Sequence, residues 1–99
     1  MAFVCKTGDL QPGTTMRVVV DGMPIAVFNL DGEFFALDDI CSHALASLSE
    51  GYVEEGMVEC PKHGSQFDVR TGEVHSLPAT RPVATHHVTV KDDEIYVEV

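Results

Sequence analysis

The fold class of this chain is decided by residues 15–37, which read TMRVVVDGMPIAVFNLDGEFFAL. Two Asp-Gly pairs, at 21–22 and 31–32, separate three runs that are rich in apolar and β-branched residues. Asp-Gly between such runs is a strong hairpin signal, because Gly accepts a positive φ without steric cost. The stretch therefore predicts an antiparallel meander of three strands, over residues 15–20, 25–30 and 33–37.

A second hairpin is predicted at the other end of the chain. Residues 86–90 and 94–99 flank a short polar turn at 91–93. Alternate residues of the last run share one face of a strand, and this face is apolar: Ile95, Val97 and Val99. Helix signals are nearly absent, since only residues 45–49 could form a helical turn and that stretch is too short to be stable alone. We therefore expect an all-β protein.

Between these strands, residues 38–82 break into short pieces separated by Gly, Pro, Ser and Asp. Irregular stretches of this length are uncommon in compact domains unless they are functional or disordered. This one contains Cys, His, Phe and Val, a composition that argues against disorder. We therefore expect that some further interaction organises it.

Charge and hydropathy exclude several classes of function. The chain has 99 residues, with 16 acidic and 6 basic side chains, so its net charge is −10. Nucleic-acid binding is disfavoured because it needs clustered Lys and Arg. No apolar run is long enough to span a membrane, and the first residues do not resemble a secretory signal, so we expect a cytoplasmic protein. The acidic surface either serves solubility alone or steers the protein toward basic partners.

Two Cys-His pairs lie in the irregular stretch. The first is Cys41-Ser42-His43 and the second is Cys60-Pro61-Lys62-His63. Two thiolates and two imidazoles suit zinc, iron–sulfur and some copper sites. Structural zinc sites usually pair like ligands in sequence, whereas each segment here offers one Cys and one His. This arrangement suits a two-iron cluster in which one iron takes both cysteines and the other takes both histidines.

The two pairs resemble the motif of the Rieske [2Fe–2S] proteins, C-x-H followed by C-x-x-H. The resemblance implies an all-β fold of stacked antiparallel sheets, with cluster-binding loops at one tip. It implies that the inner iron is bound by Cys41 and Cys60 and the outer iron by His43 and His63. It also implies one domain over residues 1–99, in which 1–37 and 83–99 form a basal β framework and about 38–82 bind the cluster.

Departures from the family pattern indicate a subgroup. Rieske proteins of respiratory and photosynthetic complexes carry an extra cysteine in each loop, where this chain has Ala46 and Lys62, so the disulfide of those proteins cannot form. Of their two hydroxyl donors to the cluster sulfurs, this chain keeps Ser65 but has Phe67 at the second position. Fewer donors stabilise the reduced cluster less, so we expect a potential in the lower part of the Rieske range of about −150 to +300 mV.

The chain is most similar to the small Rieske ferredoxins of bacterial aromatic-ring-hydroxylating dioxygenase systems, through residues 48–54, the second Cys-His loop, and residues 66–72. Residues 77–79, with Pro78, resemble the third loop that covers the cluster. The resemblance implies a soluble, monomeric one-electron carrier rather than an enzyme. Its partners would be an NADH-dependent flavin reductase and a terminal oxygenase with Rieske and mononuclear iron centres. Gly64 would let the backbone approach the cluster.

Two alternatives stay open at this point. One is a small Rieske subunit bound permanently to another oxidoreductase, and the other is a structural zinc domain with the same four ligands. The remaining candidate residues have simpler interpretations. We expect Cys5 to be a buried free thiol, His75 a surface residue, and His86-His87 not to chelate together because neighbours on a strand face opposite sides. Residues 68–73 are expected to form a polar turn.

Overall fold

The computed structural model describes residues 1–41, 46–62, 64–75 and 81–98. Within these ranges the chain forms ten β-strands, two 3-10 turns and no α-helix, and no helix there is long and apolar enough to cross a membrane. The 3-10 turns are Thr7–Asp9 and Leu48–Glu50. The strands are β1 (Ala2–Lys6), β2 (Thr15–Val20), β3 (Met23–Leu30), β4 (Glu33–Asp38), β5 (Tyr52–Glu54), β6 (Met57–Glu59), β7 (Gln66–Asp68), β8 (Thr85–His86), β9 (Val88–Lys91) and β10 (Glu94–Val97).

The strands form three antiparallel sheets. The first has the order β1-β10-β9, the second β2-β3-β4-β8, and the third β5-β6-β7. The second sheet lies between the other two, because its strand β3 is buried on both faces. Alternate β3 residues pack into different apolar cores, Ala26 and Phe28 into one, Ile25 and Val27 into the other. The predicted all-β class with stacked antiparallel sheets is confirmed.

The predicted meander over residues 15–37 is confirmed as β2, β3 and β4. Both of its Asp-Gly turns have positive φ at both positions, 50° and 80° at Asp21 and Gly22, and 52° and 95° at Asp31 and Gly32. These values define type I′ turns, whose twist matches that of the strands they connect. The local sequence therefore determined these three strands and their pairing directly.

The predicted strand over residues 86–90 is divided between two sheets, which corrects the sequence-based boundary. His86 belongs to β8 and pairs with Ala36 of the middle sheet, whereas Val88–Lys91 pair with β10 of the first sheet. The break lies at His87, where the chain crosses from one sheet to the other. The local sequence cannot show such a crossing, because the residues before and after His87 both have the composition of a β-strand. Ile95 and Val97 share the buried face as predicted, and Val99 lies outside the described residues.

The stretch expected to be irregular contains the third sheet. Its strands β5, β6 and β7 have three residues each, which is too short for a periodicity to be visible in the sequence. The helical turn expected at 45–49 is the 3-10 turn Leu48–Glu50, and Leu45 lies outside the described residues. Packing against the middle sheet, rather than strand length, stabilises this small sheet.

Two apolar cores follow from this stacking. The core between the middle and third sheets consists of Ala26, Phe28, Leu30, Leu37, Cys41, Leu48, Val58, Cys60, Phe67, Val69 and Val83. The core between the middle and first sheets consists of Cys5, Leu10, Ile25, Val27, Ala36, Ile95 and Val97. Two of the three cysteines therefore lie in one core and the third lies in the other.

The turn between β9 and β10 predicts a stabilising substitution. Asp92 and Asp93 both have positive φ, 52° and 62°, whereas the second position of the two Asp-Gly turns is glycine. We expect Asp93→Gly to raise the free energy of unfolding by about 0.5–1 kcal/mol, because glycine adopts this conformation without a steric cost. Chemical denaturation of the variant measures the change.

The reverse substitution, Gly22→Ala, is the matched control. A Cβ at Gly22 would meet no atom within 4 Å, so only the φ of +80° opposes it. We expect this variant to lose about 1 kcal/mol. Equal stability of the two variants would show that turn conformation does not limit the stability of this protein.

Candidate metal centre

Two loops of the chain begin at a buried cysteine and are closed in the same way. The Cys41 N–H donates to the carbonyl of Ala46 at 3.0 Å, and the Cys60 N–H donates to the carbonyl of Ser65 at 2.7 Å. In both loops the acceptor lies five residues after the cysteine. The predicted histidine ligands, His43 and His63, fall inside these loops in sequence, and both lie outside the described residues, as does Pro78.

The cysteines at the bases of the loops share one apolar core. Cys41 is 4% exposed and Cys60 is 1% exposed, neither is in a disulfide, and both cluster with Leu48 and Phe67. Two thiols at the bases of two similarly closed loops provide a donor set that suits a soft or borderline metal centre shielded from water. Among the described residues no three His, Cys, Asp or Glu side chains form a metal-binding group, and both predicted imidazoles lie outside that part of the chain.

The second loop depends on a glycine conformation. Gly64 has φ +79°, and its N–H donates to the Cys60 carbonyl at 3.0 Å, which tightens the turn around the cysteine. A Cβ there would meet only the Glu59 carboxylate oxygen, at 3.8 Å, so the requirement is for backbone conformation rather than space. Ser65, which follows, is fully buried. Pro61 and Lys62 are exposed, so this part of the loop faces solvent.

The first loop is held by a residue that the sequence analysis did not single out, Asp39. Its side chain is fully buried; Oδ1 accepts from the Ser49 N–H at 2.8 Å and Oδ2 from Nε of Arg17 at 3.0 Å. Its own N–H donates to the Pro24 carbonyl, and its carbonyl accepts from the Leu48 N–H at 2.6 Å. Asp39 thus connects strands β2 and β3 to the turn after the loop. The one feature of the sequence that could have drawn attention to Asp39 is its position two residues before Cys41.

Gly51 brings the two loops together. Its φ of −82° is ordinary, but a Cβ would collide with the carbonyl oxygen of Glu59 and lie 3.1 Å from that of Leu48. Glu59 immediately precedes Cys60, and Leu48 begins the turn that follows the first loop. A side chain at position 51 would therefore push the two cysteine-bearing segments apart. The sequence showed the glycine but not the close approach.

The remaining candidates lie apart from this centre. Cys5 is buried in the other core and in no disulfide, as predicted; burial raises the pKa of its thiol, and the nearby charge of Asp9 raises it further. His75 is exposed, with Nε2 4.0 Å from the Asp68 carboxylate. His86 Nε2 lies 2.7 Å from the carboxylate of Asp38.

The polar turn expected at residues 68–73 is present. The Asp68 side chain accepts from the N–H groups of Arg70 and Thr71, at 2.8 and 3.3 Å, and the Thr71 hydroxyl accepts from the Glu73 N–H. Gly72 in the same turn is packed so closely that a Cβ would collide with the carbonyl of Val83. These contacts connect the third sheet to the segment that enters β8.

The three stacked sheets and the two similarly closed loops, each with a buried cysteine at its base, define a small β-domain with a pair of thiols that suits a metal group. The family model that matches this chain is the Rieske [2Fe-2S] domain, over residues 1–87, so the chain belongs to the Rieske family. Family membership implies a Rieske-type [2Fe–2S] cluster, and the pair of buried thiols fits such a group.

Similar proteins identify the subgroup. The chain is 50% identical, over 98% of its length and 92% of the relative's, to the 3-phenylpropionate/cinnamic acid dioxygenase ferredoxin subunit of Photorhabdus laumondii. It is 46% identical to the biphenyl 2,3-dioxygenase ferredoxin component of Rhodococcus jostii, over 96% of its length and 89% of the relative's. A chain in the complex of reduced oxygenase and oxidized ferredoxin in carbazole 1,9a-dioxygenase superposes with a TM-score of 0.93, at 45% identity, covering 96% and 89% of the two chains. The protein is thus an electron carrier of the ferredoxin type rather than an enzyme.

Substitution of Gly51 tests the close approach of the two loops. We expect Gly51→Ala to lower the free energy of unfolding of the metal-free protein by about 2–3 kcal/mol, because the added methyl group must displace backbone. We also expect a lower iron content after reconstitution. Thermal unfolding and iron analysis measure the two effects.

Gly8→Ala is the matched control, because a Cβ at Gly8 would meet no atom within 4 Å. We expect its stability and iron content to stay close to those of the parent protein. If Gly51→Ala behaved like Gly8→Ala, the packing of Gly51 against Glu59 would not be what holds the loops together.

Proposed function

We propose that this chain carries single electrons from a flavin-dependent, NADH-oxidising reductase to a terminal oxygenase that contains Rieske and mononuclear iron centres. The observation that carries the proposal is the pair of similarly closed loops, each with a buried cysteine at its base. The chain is also 50% identical in sequence to a dioxygenase ferredoxin subunit. The solved complex of oxygenase and ferredoxin in carbazole 1,9a-dioxygenase supports an oxygenase as one partner.

We assign Cys41 and Cys60 to the inner iron and His43 and His63 to the outer iron, with Gly64, Ser65 and Pro78 around the cluster. The cluster supplies a centre that accepts and releases one electron. The burial of both cysteines supports their assignment to the inner position, since solvent-facing ligands must come from elsewhere in the loops. On this assignment the chain is one domain, in which residues 38–82 bind the cluster and residues 1–37 and 83–99 support them.

The chain's own residues meet the needs of a carrier that docks briefly. Backbone hydrogen bonds close both loops, so little of the protein has to rearrange when the charge of the site changes. The net charge of −10 favours rapid encounter with basic surfaces, and small redox interfaces release their partners quickly. These features support a shuttle that binds its partners transiently over a permanently bound subunit. As part of the same proposal, the shuttle is a monomer in the cytoplasm.

Spectroscopy of the purified protein tests the cluster and its ligands. We expect dithionite to produce a rhombic EPR signal whose average g value lies below that of the free electron. His43→Ala should abolish or convert this signal, whereas His87→Ala, at an exposed histidine outside the proposed site, should leave it unchanged. An EPR-silent protein with stoichiometric zinc would contradict the proposal, as would an unchanged signal in His43→Ala.

Transfer to an oxygenase tests the role in the same samples. The reduced protein is mixed anaerobically with the oxidised oxygenase of the 3-phenylpropionate/cinnamic acid dioxygenase system, and the absorption of both clusters is followed. We expect the added oxygenase to oxidise the carrier, and gel filtration to show a free monomer beforehand. A protein that purifies only in a stable complex would instead be a permanent subunit.

Removal of the Ser65 hydroxyl tests the assignment of this residue next to the cluster. We expect Ser65→Ala to lower the reduction potential, because a hydroxyl donor stabilises the more negative reduced state. Thr14→Ala is the matched control, since the Thr14 hydroxyl donates to the Gln11 carbonyl in an exposed loop. Equal potentials in the two variants, measured by redox titration, would place the Ser65 hydroxyl away from the cluster.

A further inference from the structure

At the base of the proposed site lies an ion pair that contains a buried carboxylate, and the ligand assignment does not use it. The Asp39 side chain is fully buried, and the Arg17 side chain, its ionic partner, is 47% exposed. Nε of Arg17 lies 3.0 Å from Oδ2 of Asp39. Burial of a carboxylate lowers the stability of a protein unless the group is paired and hydrogen-bonded. The buried carboxylate of Asp39 lies two residues before a proposed cluster ligand, so we asked what this pair contributes to the site.

The contacts of Asp39 connect strand β2 to the 3-10 turn that follows the first cysteine loop. Thr15 and Arg17 are alternate residues of β2 and lie on the same face of the strand. The Thr15 hydroxyl donates to the Ser49 carbonyl at 3.1 Å, while the Ser49 N–H donates to Oδ1 of Asp39 at 2.8 Å. Ser49 is therefore held on both sides of its backbone, by β2 directly and by Asp39.

The same carboxylate is placed to influence the charge of the cluster. Asp39 and Cys41 are separated by one residue, Ile40, so their Cα atoms are at most about 7 Å apart. The Asp39 carboxylate is fully buried, so water screens its charge less than it screens the charge of a surface residue. The two opposite charges of this pair are therefore able to shift the energy of an electron added nearby.

We propose that Arg17 and Asp39 form a positioning ion pair that orients the first cluster loop and tunes the reduction potential. This inference rests on the proposed function, because it requires a cluster ligand at Cys41. Arg17 compensates the buried carboxylate, so the cluster is reduced next to a nearly neutral pair. With Arg17 removed, the carboxylate opposes reduction; with the carboxylate removed, Arg17 favours it.

The two partners therefore give opposite shifts in a redox titration. We expect Arg17→Gln to lower the potential, and Asp39→Asn, which keeps an oxygen for the Ser49 N–H, to raise it. Each shift should correspond to a change of up to about tenfold in the ratio of reduced to oxidised protein at a fixed potential, or about 59 mV. The double variant should return close to the parent value. Arg17→Lys should restore most of the effect of Arg17.

Controls separate charge from loosened structure. Lys91→Gln removes one positive charge from β9 of the first sheet, and we expect its potential to shift least. Thermal unfolding of the metal-free proteins reports the structural part, and both single variants should be less stable than the parent. A purely structural role would shift both potentials in the same direction, or neither, and would overturn the inference.

The outcomes distinguish this inference from the function on which it depends. A parent protein without the Rieske EPR signal overturns both. A parent protein with the signal, but without opposite shifts in Arg17→Gln and Asp39→Asn, overturns the ion-pair inference alone. If Asp39→Asn fails to fold, the reduction potentials of Arg17→Gln and Arg17→Lys decide whether the ion-pair inference holds. An effect of charge requires the potential of the lysine variant to lie nearer that of the parent protein, and any other order overturns the inference.

Discussion

Two-sided burial of the central strand is the constraint on which the rest of the structure depends. Residues 25–30 of β3 are all buried, and their alternate side chains enter two different cores. The third sheet, with strands of three residues, would have little stability alone and depends on packing against this strand's sheet. Because Cys41 and Cys60 belong to that same core, the packing that stabilises the domain also fixes the bases of both loops.

Backbone contacts fix the bases of the two loops in the part of the chain that the structure describes. Each loop is closed by a hydrogen bond from its cysteine N–H, and Gly51 allows the segments that carry the loops to pass in contact. The buried carboxylate of Asp39 adds a side-chain contribution next to the first loop, because it accepts hydrogen bonds from the Arg17 side chain and from the Ser49 N–H. A carrier benefits from this construction, because a rigid surrounding reorganises little when an electron arrives.

Part of the acidic character of the chain has a structural source. In the part of the chain that the structure describes, five non-glycine residues have positive φ, and all are acidic: Asp21, Asp31, Glu55, Asp92 and Asp93. Aspartate tolerates the left-handed conformation better than most residues, so turn chemistry accounts for much of this placement. Net charge alone therefore does not identify a docking surface, since several of these charges mark the ends of hairpins.

The sequence by itself determined the all-β class, the meander over residues 15–37 and the two Cys-His pairs, because these signals are local. An Asp-Gly turn and a ligand spacing can each be recognised from a few neighbouring residues. Only the tertiary structure decided that His86 pairs with the middle sheet, that Gly51 touches Glu59, and that Asp39 is buried against Arg17. These contacts join residues distant in sequence, and their energies come from burial and close approach, which no local pattern contains.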